Sequence, residues 1–276
     1  MIGACEWIFG ARPLEQTTAI LVAAGISGIE VTGEPARDAG ALADALAAAG
    51  LTPLGTTAVS RWPTNDRDLA HSDADARRRA VAYYRGCVDL AAAIGAKVVG
   101  LIPGAVGRYE PLTTAERERR WAVAGVREVA LHAGERGVTV AVEAINRYET
   151  HLVNRVEQAL DLASQAGGHV GVIADTFHMQ LEEADPAAAV ARAGAALCAL
   201  HVADSNRRGL GRGTLDVAPL VAAARGGGFS GPLVLECTAP GPNPFSADKG
   251  GEAMLILDGD LIESVRLLRR IDDGDD

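Results

Sequence analysis

The chain has 276 residues, of which 48% are hydrophobic and 22% charged, and its formal net charge is −10. This balance predicts a globular protein with a large core rather than a disordered chain. The negative charge disfavours nucleic acid as a partner, because binding to a phosphate backbone relies on lysine and arginine. We therefore expect no nucleic-acid partner.

Neither end of the chain nor its cysteines indicate export or membrane insertion. The N-terminal residues MIGACEWIFGARP include no basic leader, and no window of about 18 residues is free of charge. The cysteines form no CxxC pair and lie in apolar runs: Cys5, Cys87, Cys198 and Cys237. We expect a cytoplasmic protein with no membrane partner, and a homo-oligomer remains an open alternative.

Apolar runs of strand length alternate with alanine-rich amphipathic segments eight times along the chain. We predict strands at 2–10, 28–33, 52–60, 97–104, 139–146, 170–178, 198–206 and 232–240. We predict helices near 14–24, 38–49, 73–94, 113–136, 154–166, 185–195, 217–225 and 252–270. A turn-rich loop is expected at 241–251, and a short, frayed acidic tail from about 271.

The order of these segments predicts the fold class. Most of the strands are apolar on both faces, which is typical of parallel strands that lie between a core and a layer of helices. Eight strand–helix units without a linker predict a single-domain (β/α)8 TIM barrel over residues 1–276. An open doubly wound sheet is the alternative, but the first turn has no GxGxxG motif.

Four polar residues lie at the ends of consecutive predicted strands, at Glu143, Asp175, His201 and Glu236. Functional groups of such barrels come from the C-terminal ends of the strands, so these side chains should converge. A lone acid at a strand end is usually solvated or caps a helix, but three buried carboxylates would repel one another without a cation. Oxygen and imidazole ligands together suit Mn²⁺, with Mg²⁺ or Co²⁺ as alternatives. The sequence therefore predicts one divalent metal ion.

Four segments carry a resemblance to a known family: VEAINRYETHLVN (142–154), IADTFHM (173–179), HVADSNRRGLGRG (201–213) and LVLECT (233–238). They resemble the metal and substrate segments of the xylose-isomerase-like TIM-barrel sugar isomerases and epimerases, and within these the D-tagatose/D-psicose 3-epimerase group. The resemblance spans nearly the whole chain. It implies a metal-dependent isomerase or epimerase that acts on a small ketose or related keto-polyol. The expected partner is therefore a small-molecule sugar substrate.

The resemblance also implies roles for individual residues. Glu143 and Glu236 match the pair that moves protons while binding the metal. Residues matching substrate-contacting positions are Glu149, His178 and Arg207, and the candidates for an aromatic wall beside the substrate are Trp7, Phe9 and Trp62.

Alternatives for the loop residues remain open at this stage. Arg207 has neighbouring arginines and could be a solvated loop residue, His178 could instead support a metal ligand, and Glu149 could pair with Arg147 or Arg155. The segment GLGRG (209–213) could cradle a phosphate, although we favour a flexible loop that covers an unphosphorylated sugar.

Three rival functions fit parts of the same pattern. Endonucleases for abasic DNA share the superfamily but need three zinc ions, and the early strands supply no extra histidines. A lyase of the inosose dehydratase or C-glycoside-cleaving kind shares the deprotonation step and differs only in the leaving group. A non-catalytic sugar-binding barrel would not need two opposed glutamates on a metal.

Overall fold

The computed structural model of the protein describes residues 1–242 and 249–273. Eight parallel strands form a closed barrel in chain order, and the last strand pairs with the first. The predicted TIM barrel is therefore confirmed. The strands are β1 (Ile2–Cys5), β2 (Gly28–Gly33), β3 (Thr52–Ala58), β4 (Val98–Leu101), β5 (Thr139–Glu143), β6 (Val170–Asp175), β7 (Leu197–Val202) and β8 (Leu233–Leu235).

Helices connect the strands and pack against them. Within the described ranges they are α1 (Leu14–Ala23), α2 (Ala39–Ala48), α3 (Ala74–Ala93), α4 (Ala115–Glu135), α5 (Val156–Ala166), α6 (Thr176–Glu182), α7 (Pro186–Ala193), α8 (Ala218–Gly226) and α9 (Gly250–Asp273). Short 3-10 turns follow β1 at Glu6–Phe9 and precede β7 at Gly194–Ala196. The core lies between these two layers, where Leu21, Ile29 and Leu162 are fully buried.

Side chains and glycines set the ends of the two long helices. The carboxylate of Asp73 accepts a hydrogen bond from the first turn of α3, and the Thr114 hydroxyl does the same for α4. Gly95 and Gly137 follow these helices with φ angles of 81° and 67°, a conformation that costs glycine little. Each long helix therefore ends in a tight turn, and the next strand, β4 or β5, begins within a few residues.

The predicted strands extended too far at their C-terminal ends. The clearest error concerns 170–178, because β6 stops at Asp175 and helix α6, which the sequence did not predict, begins at Thr176. The Asp175 carboxylate accepts a hydrogen bond from the Phe177 N–H and so starts this helix. Strands predicted at 2–10, 139–146, 198–206 and 232–240 end at Cys5, Glu143, Val202 and Leu235. Several residues just beyond these strands are buried and apolar, among them Phe9, Ile145, Ala203 and Cys237, so the apolar pattern continues past the end of the strand.

The C-terminal region differs from the prediction in its bounds. Residues 250 and 251 of the expected loop begin α9, whereas residues 243–248 of that loop lie outside the described residues. Helix α9 extends to Asp273, beyond the predicted end at 270, and residues 274–276 again lie outside. In the described part of the chain no helix combines the length and apolarity that crossing a membrane requires.

Candidate active site

The four predicted ligands converge at one end of the barrel. Glu143 ends β5, Asp175 ends β6, His201 pairs with Asp175 from β7, and Glu236 follows β8. One potential ligand atom from each lies within 4.8 Å of the others. All four side chains are at most 5% exposed. The register of the strands therefore builds one compact group of three carboxylates and an imidazole.

Two atoms of this group support the fit of a metal ion. Asp175 Oδ2 and His201 Nδ1 are buried and have no hydrogen-bond partner, although unpaired buried polar atoms are uncommon in proteins. His201 Nδ1 lies 3.5 Å from Glu143 Oε1 and 3.3 Å from Glu236 Oε2. A divalent cation among these atoms would satisfy both orphaned groups and balance the negative charge. The side chains present therefore fit a divalent metal ion.

Charge and burial affect the two glutamates differently. Burial, reinforced by nearby Glu236, raises the pKa of Glu143 to about 7. Burial also raises the pKa of Glu236, but attraction to His201 and Arg207 outweighs it and lowers that pKa to about 2. In the metal-free protein Glu143 therefore holds a proton more readily than Glu236.

Glu30 is a contact of His201 that the sequence analysis missed. It lies on β2 with 3% exposure, and its Oε2 is 3.2 Å from His201 Nε2. Its pKa is lowered because attraction and hydrogen bonding to His201 overcome the effect of burial. A carboxylate in the middle of the apolar run GIEVTG was the signal that could have revealed it.

Arg207 is buried beside the cluster rather than solvated. It is 5% exposed, and its Nη2 donates to Glu236 Oε2 at 3.1 Å and lies 3.7 Å from Asp175 Oδ2. Its φ of 58° is the left-handed conformation, uncommon for a residue other than glycine. The guanidinium carbon also lies 4.7 Å from the centre of the Phe177 ring.

His178 lies on α6 and is held by Asn146, a second residue that the sequence analysis did not single out. Asn146 Nδ2 donates to His178 Nδ1 at 2.7 Å and to Glu149 Oε1 at 2.9 Å. Burial lowers the pKa of His178 to about 3, so its imidazole is neutral. Nδ1 accepts from the Asn146 N–H, and Nε2 lies 3.3 Å from Arg207 Nη1 and 3.6 Å from Asp175 Oδ2.

Glu149 does not pair with either arginine that the sequence offered as an alternative. Its carboxylate contacts Asn146, and lies 3.8 Å from His178 Nδ1. Arg147 instead binds Glu182, and Arg155 contacts Glu157. Glu149 thus belongs to the same contact network as His178.

The three aromatic candidates occupy different places. Trp7 lies in the 3-10 turn after β1, where its Nε1–H donates to Glu236 Oε1 at 2.6 Å. Phe9 is buried in the core, and Trp62 lines a separate hollow with Tyr109. Of the three, Trp7 is the one placed beside the cluster.

A cavity of about 290 Å³ opens onto the cluster. Its charged and aromatic lining residues are Trp7, Arg61, Glu143, Glu149, His178, Arg207 and Glu236. Its apolar lining residues include Ala58, Val59, Ile102, Val106 and Ile145. This volume lies near the lower end for ligand pockets, so the cavity suits a small substrate.

The GLGRG segment is attached to α9. Arg208, which precedes it, and Arg212 both bind the buried carboxylate of Asp260, and the Leu210 N–H donates to Ser264 Oγ. Both arginines are therefore already engaged, away from the cavity lining. This arrangement favours neither a phosphate cradle nor a loose lid at this segment.

Sequence and structure comparisons agree with this architecture. A family profile described as "Xylose isomerase-like TIM barrel" matches residues 19–257, which is most of the chain. The chain belongs to this xylose isomerase-like TIM barrel family. The family resemblance predicted from the sequence is thereby confirmed.

The named relatives include 3-epimerases of ketoses and a 3-dehydro-D-guloside 4-epimerase of Escherichia coli, which is 29% identical over 59% of this chain and 65% of that protein. The chain is 34% identical over 187 residues to a D-psicose 3-epimerase of Ruminiclostridium cellulolyticum. This aligned segment is 66% of this chain and only 63% of that protein. It is 32% identical to an L-ribulose 3-epimerase of Mesorhizobium japonicum over 81% of this chain and 75% of the relative. A crystal structure of D-psicose 3-epimerase with D-tagatose from Clostridium cellulolyticum superposes with a TM-score of 0.85 over 98% of both chains at 23% identity. At that identity the superposition establishes the fold alone.

Proposed function

We propose that this protein is a metal-dependent epimerase or isomerase of a small ketose or related keto-polyol. The observation that carries the proposal is the convergence of Glu143, Asp175, His201 and Glu236. One potential ligand atom from each lies within 4.8 Å of the others, and Glu143 and Glu236 also line the cavity. The family membership and the ketose 3-epimerases among the relatives support the same reading.

The metal ion would be held by these four residues, and Mn²⁺ suits the mixture of oxygen and nitrogen ligands best, with Mg²⁺ or Co²⁺ as alternatives. A bound divalent ion would stabilise the negative charge that develops on the substrate's oxygens when a neighbouring C–H proton is removed. His201 would coordinate through Nδ1, the nitrogen that has no hydrogen-bond partner.

The two glutamates would carry the proton. A C–H bond beside a carbonyl breaks only when a base lies within reach, and Glu143 and Glu236 enter the cavity from different strands. One carboxylate would remove the proton from one face of the carbon and the other would return a proton to the opposite face. Configuration at that carbon is then inverted. Trp7 holds Glu236 by its Nε1–H bond and so would fix the direction of that carboxylate.

The remaining cavity residues would orient the substrate. Arg207 would donate to a substrate oxygen from its position beside Glu236, and the neutral imidazole of His178 would form a hydrogen bond with a substrate hydroxyl. Glu149, which shares Asn146 with His178, would accept from a substrate hydroxyl. A carboxylate, a neutral imidazole and a guanidinium around one small cavity suit a polyhydroxylated, unphosphorylated sugar.

The test is incubation of the manganese-loaded protein in D₂O with ketoses, keto-inositols and 3-keto-glycosides. The proposal predicts deuterium at the carbon beside the carbonyl in an epimeric product and in recovered substrate, with no loss of a leaving group. Deuterium uptake followed by elimination would favour the lyase alternative. Absence of exchange with every substrate, in protein that has bound its metal, would contradict the proposal.

A further inference from the structure

Glu30 makes a contact across the interior of the barrel. It lies on β2, whereas His201 lies on β7, and these two strands are not neighbours in the sheet. Glu30 Oε2 nevertheless lies 3.2 Å from His201 Nε2, and both side chains are almost completely buried. Glu30 therefore contacts the imidazole at Nε2. The carboxylates of the cluster lie at the other nitrogen, Nδ1.

Chemistry fixes the direction of this hydrogen bond. An ionised carboxylate can only accept, so His201 Nε2 must carry a proton and donate it to Glu30. A histidine that binds a metal ion is neutral, so in the metal-bound form the lone pair of His201 then resides on Nδ1. That nitrogen faces Glu143 and Glu236 and has no hydrogen-bond partner. The contact therefore selects the tautomer that a metal ion at the cluster requires.

We infer that Glu30 is a positioning residue that orients His201 for metal binding, an inference that rests on the metal site of the proposed function. Ligating histidines commonly donate their second N–H to a carboxylate, which fixes the ring and makes the ligating nitrogen more basic. Glu30 does not line the cavity, so it acts through His201 and not on the substrate.

Further hydrogen bonds hold Glu30 itself in place. The Thr57 hydroxyl donates to Glu30 Oε2 at 2.9 Å, and the Cys5 thiol donates to the same oxygen at 3.9 Å. Glu30 Oε2 thus accepts from β1, β3 and β7 together. Such a bonded carboxylate has little freedom to turn away from His201. The cluster of Cys5, Glu30 and His201 is therefore better described as a hydrogen-bonded support than as a second metal site.

The test compares two substitutions in protein stripped of metal. Glu30→Met keeps the approximate size but removes the acceptor, so Mn²⁺ affinity measured by calorimetric titration should fall by about 10- to 100-fold. Glu30→Gln keeps an oxygen that can accept from Nε2 and loses only the charge, so its loss of affinity should be smaller. If Glu30 only stabilised the fold and did not orient His201, Mn²⁺ affinity would not fall in the order wild type, Glu30→Gln, Glu30→Met.

Glu118→Gln is the matched control. Glu118 is a fully buried glutamate of α4 that also lies beside a histidine, with His151 Nε2 at 3.1 Å, and it binds Arg108. It is not part of the cavity lining. The control should lower the thermal stability of the metal-free protein and leave its affinity for Mn²⁺ unchanged.

The outcomes separate the two hypotheses. If wild type binds Mn²⁺ and the affinity falls in the order wild type, Gln, Met, with Glu118→Gln unchanged, the positioning role is supported. If folded Glu30→Gln and Glu30→Met bind Mn²⁺ as tightly as wild type, the positioning role is wrong and the metal site stands. Equal losses in Glu30→Met and Glu118→Gln would also overturn it. If Glu30→Met does not fold, unchanged affinity of Glu30→Gln overturns the role and reduced affinity supports it. Absence of binding to wild type would instead refute the metal site itself.

Discussion

Substitution of Arg207 by Ala should test two roles of this side chain separately: pairing with buried carboxylates and binding of the substrate. The guanidinium lies 3.1 Å from Glu236 and 3.7 Å from Asp175, so its removal leaves two buried carboxylates without this cation. Removing one partner of a buried ion pair costs roughly 3–5 kcal/mol. At about 2 °C per kcal/mol for a chain of this size, the metal-free variant should unfold roughly 6–10 °C below wild type.

Manganese should restore much of this lost stability, because a divalent ion would face the same carboxylates. We expect the difference in unfolding temperature between Arg207→Ala and wild type to fall to less than half when Mn²⁺ is added. Arg108→Ala is the matched control, because Arg108 is equally buried but binds Asp68 and Glu118 away from the cavity. Its loss of stability should be the same with and without the metal.

Turnover provides the second measurement on the same variant. A charge-assisted hydrogen bond to the substrate contributes about 1.5–3 kcal/mol, so kcat/KM of Arg207→Ala should fall roughly 10- to 100-fold. Arg207→Lys should recover little activity, since a point charge cannot reproduce the forked contact. Wild-type kinetics together with a stability loss that Mn²⁺ does not reduce would refute this reasoning.

Four further substitutions test individual groups of the site. Glu143→Gln or Glu236→Gln keeps an oxygen ligand but cannot accept a proton, so turnover should fall by at least ~10²-fold while substrate still binds; near-normal turnover would exclude that residue as an acid or base. His201→Ala should strongly weaken metal binding in calorimetric titrations, because a neutral ligand is lost while the repelling carboxylates remain, and an unchanged affinity would argue against His201 as a ligand. Trp7→Phe keeps an aromatic ring but loses the Nε1–H bond to Glu236, so kcat should fall about tenfold with metal affinity little changed, and an unaltered kcat would show that this bond does not matter.

The barrel and the four cluster residues could be predicted from the sequence because their signals are local and repeated. Each strand is an apolar run, and each of Glu143, Asp175, His201 and Glu236 interrupts such a run one strand–helix unit after the last. Parallel strands in a closed barrel present their C-terminal ends at the same side. Spacing along the chain therefore translates directly into proximity.

The contacts that depend on distant parts of the chain could not be predicted in the same way. The bond between Glu30 and His201 spans 171 positions, and that between Trp7 and Glu236 spans 229. Helix α6 was missed because it has only seven residues and follows β6 without an intervening turn, and the Asp175 cap that starts it was interpreted only as a ligand. The burial of Arg207 likewise depends on Glu236 and on the Phe177 ring, which no local pattern relates to it.

The most direct test of the central claim is a crystal structure of the manganese-loaded protein with anomalous diffraction measured at the manganese edge. The account predicts one anomalous peak per chain, ligated by Glu143, Asp175, Glu236 and the Nδ1 atom of His201, with Nε2 still bonded to Glu30. A map with no peak among these four side chains, or with the manganese ion at another place, would contradict the claim that this cluster is a metal centre.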